Sequence, residues 1–432
     1  MKPPVPSNLG FGYLGAVATF PDAPAITGSG LALTHGQLAE ASIALALGLQ
    51  ERGLSQGDTL ALRTADPLVA LASVFATALL GARWVFGHTN LLGTDRLRLD
   101  MVLDDHSLPD PAPVAVTALD ESWFRPREVM PGTALSFAGF RSPDDIWMIS
   151  QTSGTTGTPK LVGLPHQVMA DRIAANSIRL DWQGLKLASL FPVSAPVWLT
   201  YAVTALLHGG SVRHGRDAES WFADGVGFAL ASPAQAKAGL TGLRPTGKVP
   251  IIQLSGGPAG EALVRHLLER FTDVWVGYGS TEGFNALSTI KSLTGDGSTN
   301  SKTVLAPGSI VEIVDADGDR LPAGSEGIVR VANGYLAPGY LNAPEASAAS
   351  FRGGYFYPGD LGLWDVQGNF HVTGRSNDQY NLGGQKVNAQ LLDFALLGVP
   401  GVRDAISFML PDQEGPDGLR AFLSLEPGAD MT

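Results

Sequence analysis

Thr152-Ser153-Gly154-Thr155-Thr156-Gly157-Thr158-Pro159-Lys160 is the segment whose residue types point most directly to chemistry. Two glycines let the backbone turn so that amides face an anion, the hydroxyls add donors, and Lys160 supplies a cation. That is the equipment of a phosphate cradle. It is not a GxxxxGK[ST] loop, because Thr158-Pro159 separates the last glycine from the lysine. A polar linker has a similar composition, but seldom follows an apolar strand directly and ends in Pro-Lys; residues 145–149 read as such a strand. Downstream, Tyr278-Gly279-Ser280-Thr281-Glu282 brings together a flat aromatic face, a hydroxyl and a hard oxygen ligand. Considered alone, Glu282 reads equally as a solvated glutamate at a strand end. His35, His88, His166, His208 and His214 show no metal-ligand spacing, and His166 reads as a helix-start residue. The chain has no cysteine, which excludes disulfides, thiolate nucleophiles and thiolate metal sites.

The elements that must position these residues alternate. A helical pattern opens at Thr34-His35-Gly36-Gln37 and ends at Gly53; residues 58–62 read as a strand and 67–80 as a buried helix. Residues 165–178, 197–207 and 261–271 read as helices, and 274–276 as a short strand ending at Tyr278-Gly279. This alternation predicts an α/β fold built on mostly parallel sheet. After about residue 305 short alternating strands take over, with turns at Asp317-Gly318 and Gln367-Gly368. Helices are expected to be missing there until residues 388–397. Hydrophobic residues are 44% and charged residues 16%, enough apolar material for large cores in more than one unit. The formal charge of −12 repels phosphate backbones and anionic lipid, so neither nucleic acid nor a membrane surface is an expected partner. Met1-Lys2-Pro3-Pro4 does not start a signal peptide. Residues 68–82, the most apolar stretch, fall short of a membrane span, and a cytoplasmic location is expected.

The stretch Ser153 to Lys160 resembles the signature loop of the adenylate-forming superfamily: acyl- and aryl-CoA synthetases, adenylation domains of nonribosomal peptide synthetases, and luciferases. Further resemblances follow in order. Ser255-Gly256-Gly257-Pro258 is similar to the small-residue turn beside the adenine. Tyr278-Gly279-Ser280-Thr281-Glu282 resembles the aromatic-Gly-x-Thr-Glu motif, and Tyr357-Pro358-Gly359-Asp360-Leu361 the Thr-Gly-Asp-Leu segment, with Pro358 where threonine is usual. Gly374-Arg375-Ser376-Asn377-Asp378 resembles the hinge, with Asn377 where Asp or Lys is usual; Gly383-Gly384-Gln385-Lys386-Val387 resembles the following thiol-channel loop. The resemblance implies that Thr152 to Thr158, with Lys160, grip the phosphates. It further implies that Tyr278 stacks on adenine, Gly279 and Ser280 line the nucleotide, Thr281 bonds the α-phosphate and Glu282 holds Mg²⁺, while Asp360 and Arg375 contact the ribose. The implied fold is a large core, residues 1–375, of two helix-covered mostly parallel sheets (about 1–144 and 145–305) and a small β-barrel-like subdomain (306–375). An incomplete α+β lid, 376–432, follows.

The implied reaction is attack of a carboxylate on the α-phosphorus of ATP, giving acyl-AMP and pyrophosphate. Transfer to the thiol of coenzyme A or of a carrier protein's phosphopantetheine follows. Little covalent work falls to the protein, so positioning and charge stabilisation dominate. Phe191, Val193, Trp198, Gly279 and Phe284 are the expected acid-pocket residues. Pro192 stands where amino-acid-activating relatives often carry aspartate, which disfavours an α-amino acid, and the apolar set favours an aryl or hydrophobic acid. Aromatic residues at these spacings also serve as plain core. Between Lys386 and Thr432 there is no further lysine. By resemblance the lid lysine lies outside this sequence, through truncation or because the protein is naturally short, and slow adenylation by this sequence alone is expected. A non-catalytic module binding ATP or acyl-AMP is the competing reading.

Overall fold

The computed structural model describes residues 5–125, 137–152, 159–215, 217–240, 242–243, 247–376, 379–382, 385–397, 399, 401–410 and 418–425. Local signals set several elements directly. The helix Pro67–Leu80 starts where the Asp66 carboxylate accepts from the amides of Leu68 and Val69, with proline at its first position. It stops at Gly81, whose φ is +70° and where a Cβ would lie 1.7 Å from the Gly139 carbonyl. Only glycine fits there. The helix His35–Glu51 opens on a capping box between Thr34 and Gln37.

Two mixed sheets carry these helices. One has nine strands, in the order Thr299–Leu305, Phe284–Leu293, Phe271–Ser280, Val249–Leu254, Phe228–Ala231, Lys186–Ser189, Ser211–Arg213, Pro24–Gly28 and Leu31–Thr34. Phe271–Ser280 through Pro24–Gly28 run parallel, and the strands outside them are antiparallel. The other has seven strands, ordered Tyr340–Leu341, Leu161–Pro165, Ile146–Gln151, Arg83–Phe86, Thr59–Arg63, Met101–Asp104 and Thr117–Ala118, parallel from Ile146–Gln151 onward. The main core fills the space between the two sheets. It joins Leu62, Trp84 and Leu164 of one to Ile26, Leu187 and Trp275 of the other, through the apolar faces of Pro67–Leu80 and Pro196–Leu207. This is the expected α/β architecture of two helix-covered, mostly parallel sheets. A six-stranded antiparallel sheet follows, built from Ile310–Val314, Gly327–Ala332, Phe351–Arg352, Tyr355–Phe356, Asp360–Trp364 and Phe370–Arg375. Two separate hairpins, Gln379–Leu382 with Gln385–Asn388 and Val402–Leu410 with Gly418–Leu425, lie beyond it.

Several local expectations need correction. The strand expected at 274–276 runs from Phe271 to Ser280, because neighbours pair with it on both sides; the glycines at 277 and 279 hide this from β-propensity. Phe271 accordingly begins that strand rather than ending the preceding helix, which stops at Leu268. Helices are not missing after residue 305: Pro344–Ser350 is one. None of its residues is buried, so it carries no apolar stripe to read. Sheet membership also crosses the boundary at 144/145. The chain begins in the nine-stranded sheet, passes through the seven-stranded one, and returns. Among the described residues no helix is long and apolar enough to cross a membrane.

Candidate active site

The strand Phe271–Ser280 and its antiparallel partner Phe284–Leu293 form a hairpin whose tip is Thr281, Glu282 and Gly283. The tip is irregular. The register shifts between Tyr278 and Gly279, and Phe284 adopts a φ of +59°. A Cβ on Gly279 would lie 2.1 Å from the Phe284 carbonyl, so the strands close on each other only because position 279 has no side chain. Five contacts then fix the turn, and a sixth anchors Arg172. Gly283 N donates to Ser280 Oγ (3.1 Å), and Asn333 Nδ2 donates to the Gly283 carbonyl (3.1 Å). The Glu282 carbonyl accepts from the amide of Ala337 (2.8 Å) and from Arg172 Nη2 (3.1 Å). Arg172 Nε donates to the Tyr335 carbonyl (3.1 Å), and its guanidinium lies 5.3 Å from the centre of the Phe284 ring.

Arg172, 3% exposed on the helix His166–Arg179, was not singled out from sequence. The signal was there: a lone arginine on a face that also buries Met169, Ile173 and Asn176. Burial pulls its pKa down to about 9, opposed by the charge of Glu282. The planar fork reaches the two carbonyls from separate nitrogens, Nε and Nη2, whereas an ammonium would have to reach both from one. Arg172→Met is expected to weaken the apparent Mg²⁺ affinity in pyrophosphate release about tenfold and to lower stability by about 1–3 kcal/mol, with Arg172→Lys in between. Mg²⁺ titrations and thermal melts check this. A Met variant with both values unchanged would show that the fork does not hold the turn.

With its backbone fixed, Glu282 presents a carboxylate that is 8% exposed. Oε1 accepts from the Tyr340 hydroxyl at 2.9 Å. Tyr340 in turn places its ring 4.5 Å beneath Lys160 Nζ. It reaches both because Tyr340–Leu341 pairs with Leu161–Pro165 at the edge of the seven-stranded sheet, next to Lys160. Burial first, then the Glu282 charge, pushes the Tyr340 hydroxyl pKa up, so it stays a donor. Thr152 and Lys160 close the base of the expected phosphate loop: Thr152 N donates to the Lys160 carbonyl (2.9 Å), and Lys160 N donates to Thr152 Oγ1 (3.3 Å). Ser153, Gly154, Thr155, Thr156, Gly157 and Thr158 lie outside the described residues.

Four residues before Glu282, Tyr278 donates its hydroxyl to Asp360 Oδ2 at 2.7 Å, and its ring packs 4.9 Å from Phe370. The other oxygen of Asp360 pairs with Arg375 Nε at 3.1 Å, the two residues being cross-strand partners at the end of their hairpin. Burial and the Asp360 charge raise the Tyr278 pKa well above its ordinary value. Thr281 is half-buried; Gly279 and Ser280 are exposed. Gly256 has a φ of +88°, and a Cβ on either Gly256 or Gly257 would meet nothing within 4 Å, which leaves open space over the Ser255-Gly256-Gly257-Pro258 turn. The hairpin thus joins two clusters: Lys160, Tyr340 and Glu282 on one side, Tyr278, Asp360 and Arg375 on the other.

The expected acid-pocket residues are divided. Val193 and Trp198 are 9% and 4% exposed within the main core, and half-buried Phe191 packs against it. Phe284 stands apart, edge-on to Tyr335. His166 is the first residue of its helix, buried and stacked on Trp147.

Chemically, Lys160 offers a cation and Glu282 a hard anionic oxygen held in place by backbone contacts. Among the described residues no group of three or more His, Cys, Asp or Glu could hold a metal. A single carboxylate fits magnesium, which takes one or two protein carboxylates and completes its shell with substrate phosphates and water. When bound, the ion would neutralise phosphate charge.

A model of the family described as "AMP-binding enzyme" matches residues 15–341. The chain is 25% identical to tyrocidine synthase 3 of Brevibacillus parabrevis over 91% of its own length, spanning 6% of that much longer protein. It is 26% identical to the feruloyl-CoA synthase of an Amycolatopsis species, covering 91% of this chain and 83% of that one. Among solved structures it superimposes on the O-succinylbenzoate coenzyme A synthetase of Bacillus subtilis in complex with ATP and magnesium ion. The TM-score is 0.82 at 22% identity, over 96% of this chain and 89% of that one. The chain belongs to the AMP-binding enzyme family, the adenylate-forming, AMP-forming ligases of acyl-CoA-synthetase type.

Proposed function

We propose that the protein activates an aryl or hydrophobic carboxylic acid with ATP and passes the acyl group from acyl-AMP to a thiol, that of coenzyme A or of a carrier protein. Residues 1–375 would form the catalytic core and 376–432 belong to the lid. In this reading Lys160 and the amides of residues 152–158 hold the β- and γ-phosphates, and Thr281 bonds the α-phosphate. Glu282 ligates Mg²⁺, Tyr278 faces the adenine beside Gly256, Gly257 and Pro258, and Asp360 with Arg375 holds the ribose. The single observation that carries the reading is the hairpin tip, which ties a cation-bearing sheet edge and a carboxylate-bearing sheet to Glu282 and Tyr278, four residues apart at one hairpin end. The aryl preference is supported by the apolar character of half-buried Phe191 and Phe284, and by a relative named for the feruloyl group.

The test is pyrophosphate release against a broad panel of carboxylic acids, with hydroxylamine present to trap acyl-AMP as the hydroxamate. At least one acid should release pyrophosphate and yield its hydroxamate in equal amounts. Tight ATP binding with no trapped product from any acid would favour a non-catalytic binding module.

A further inference from the structure

Behind the open turn at Gly256-Gly257 lies a buried polar group of side chains that the reaction outlined above does not use. Gln253, in the strand Val249–Leu254, is 1% exposed. Its Oε1 accepts from the Tyr201 hydroxyl at 2.8 Å, and its Nε2 donates to Ser255 Oγ at 3.2 Å. The neighbouring strand contributes Gly277. A Cβ there would stand 3.2 Å from Gln253 Nε2, 3.4 Å from Ser255 Oγ and 3.4 Å from the Asn285 amide. Three polar side chains, two from the segment on one side of that strand and one from the strand on the other, therefore surround a position that carries no side chain of its own. Asn285 is oriented by its partners, its oxygen toward Arg179 Nη1 (2.5 Å) and its nitrogen toward the carbonyls of Leu287 (2.8 Å) and Tyr278 (3.3 Å). Arg179 also donates to Ser288 Oγ at 2.8 Å and lies 4.7 Å over the Trp275 ring. Among the described residues no carboxylate pairs with this half-buried guanidinium.

The direction of the group is set by the backbone. Gln253 and Ser255 lie two residues apart on one chain segment, which runs from the buried strand to a turn where a Cβ on Gly256 or Gly257 would meet nothing within 4 Å. That turn lies at the carboxyl end of a parallel strand, where open α/β sheets take their ligands. Hydrocarbon seated against these donors would leave them dry and unpaired, which disfavours an apolar group there. The second N–H of Gln253 and the O–H of Ser255 have no acceptor among the described residues, and the Arg179 charge favours an electron-rich partner.

We propose that the acid taken by this enzyme carries an oxygen acceptor at the end away from its reacting carboxylate. That oxygen (carboxylate, hydroxyl or keto) sits beside Gly277 and is held by Gln253 and Ser255, with the charge of Arg179 relayed through Asn285. The inference rests on the acid-activating reading and narrows it: apolar along the middle of the acid, oxygen-bearing at its far end.

The test uses acyl-sulfamoyl-adenosines, stable mimics of acyl-AMP, in matched pairs: hexanoyl against 5-carboxypentanoyl, and 3-phenylpropanoyl against 3-(4-hydroxyphenyl)propanoyl. Calorimetry should find the oxygen-bearing member at least about tenfold tighter in one or both pairs, and the pair that responds distinguishes an anionic from a neutral oxygen. In Gln253→Leu that ratio should fall to within about threefold of unity. Ser255→Ala, a milder change with less risk to folding, should lower it in the same direction. Equal or tighter binding of the apolar members in both pairs, or a ratio that survives both substitutions, overturns the inference and leaves acid activation standing. Failure of the folded protein to bind any of the four mimics overturns acid activation itself, and this inference with it.

Discussion

Glu282→Gln is expected to lower acid-dependent pyrophosphate release on the order of 10²–10³-fold while ATP binding without Mg²⁺ persists. The amide keeps the size of the side chain and can still accept from Tyr340, so the Lys160–Tyr340–Glu282 arrangement survives. What goes is the negative charge of a buried side chain whose backbone is fixed by the five turn contacts. Glu282→Ala should be at least as severe. Raising the Mg²⁺ concentration should recover part of the Gln variant's rate, because the loss is one of metal affinity before it is one of geometry. Rates at saturating Mg²⁺ and ATP separate the two contributions. Unchanged kinetics in both variants would remove Glu282 from the site.

Asp360→Ala should cost both binding and stability. Its two oxygens receive the Tyr278 hydroxyl and Arg375 Nε, and at 7% exposure the carboxylate is the acceptor that joins the hairpin to the antiparallel sheet. Removing the acceptor they share is expected to lower stability by about 1–3 kcal/mol. Arg375 is 40% exposed, so solvent screens its part of that loss. In the proposed site the same carboxylate holds the ribose, and the KM for ATP should rise about 10- to 100-fold with a smaller change in kcat. Asp360→Asn separates the roles: it retains one acceptor for Tyr278 and should recover most of the stability while KM stays raised. Equal KM values for wild type and both variants would leave Asp360 a purely structural residue.

What could be read from the residues in advance follows a physical division. Helix Pro67–Leu80 was legible to the residue, because its cap, first-turn proline and terminal glycine are all local. The helix Pro344–Ser350 was not, since it buries nothing. Of the site, the residues that carry chemical signatures were visible: Lys160, Tyr278, Glu282 and Asp360. The residues that hold them were hidden. Arg172 acts on carbonyls 110 and 163 positions away, and Tyr340 reaches Glu282 across 58. No spacing rule connects such pairs; tertiary packing does, as when the pairing of Tyr340–Leu341 with Leu161–Pro165 sets Tyr340 beside Lys160. The proposed acid pocket shows the same limit from the other side. Val193 and Trp198 had the right types but lie within the main core, whereas Gln253, Ser255 and Asn285 come together around Gly277 through strand order alone.

The most direct measurement follows oxygen. A carboxylate that attacks the α-phosphorus leaves one of its own oxygens on AMP when the acyl group departs. With an accepted acid labelled by ¹⁸O at both carboxylate positions, mass spectrometry of the AMP formed should find one ¹⁸O for every acyl group transferred to the thiol or to hydroxylamine. AMP free of label, formed at the same rate, would mean that water and not the acid attacks the nucleotide, and the assignment of Lys160, Glu282 and their hairpin to acyl-adenylate chemistry would be wrong.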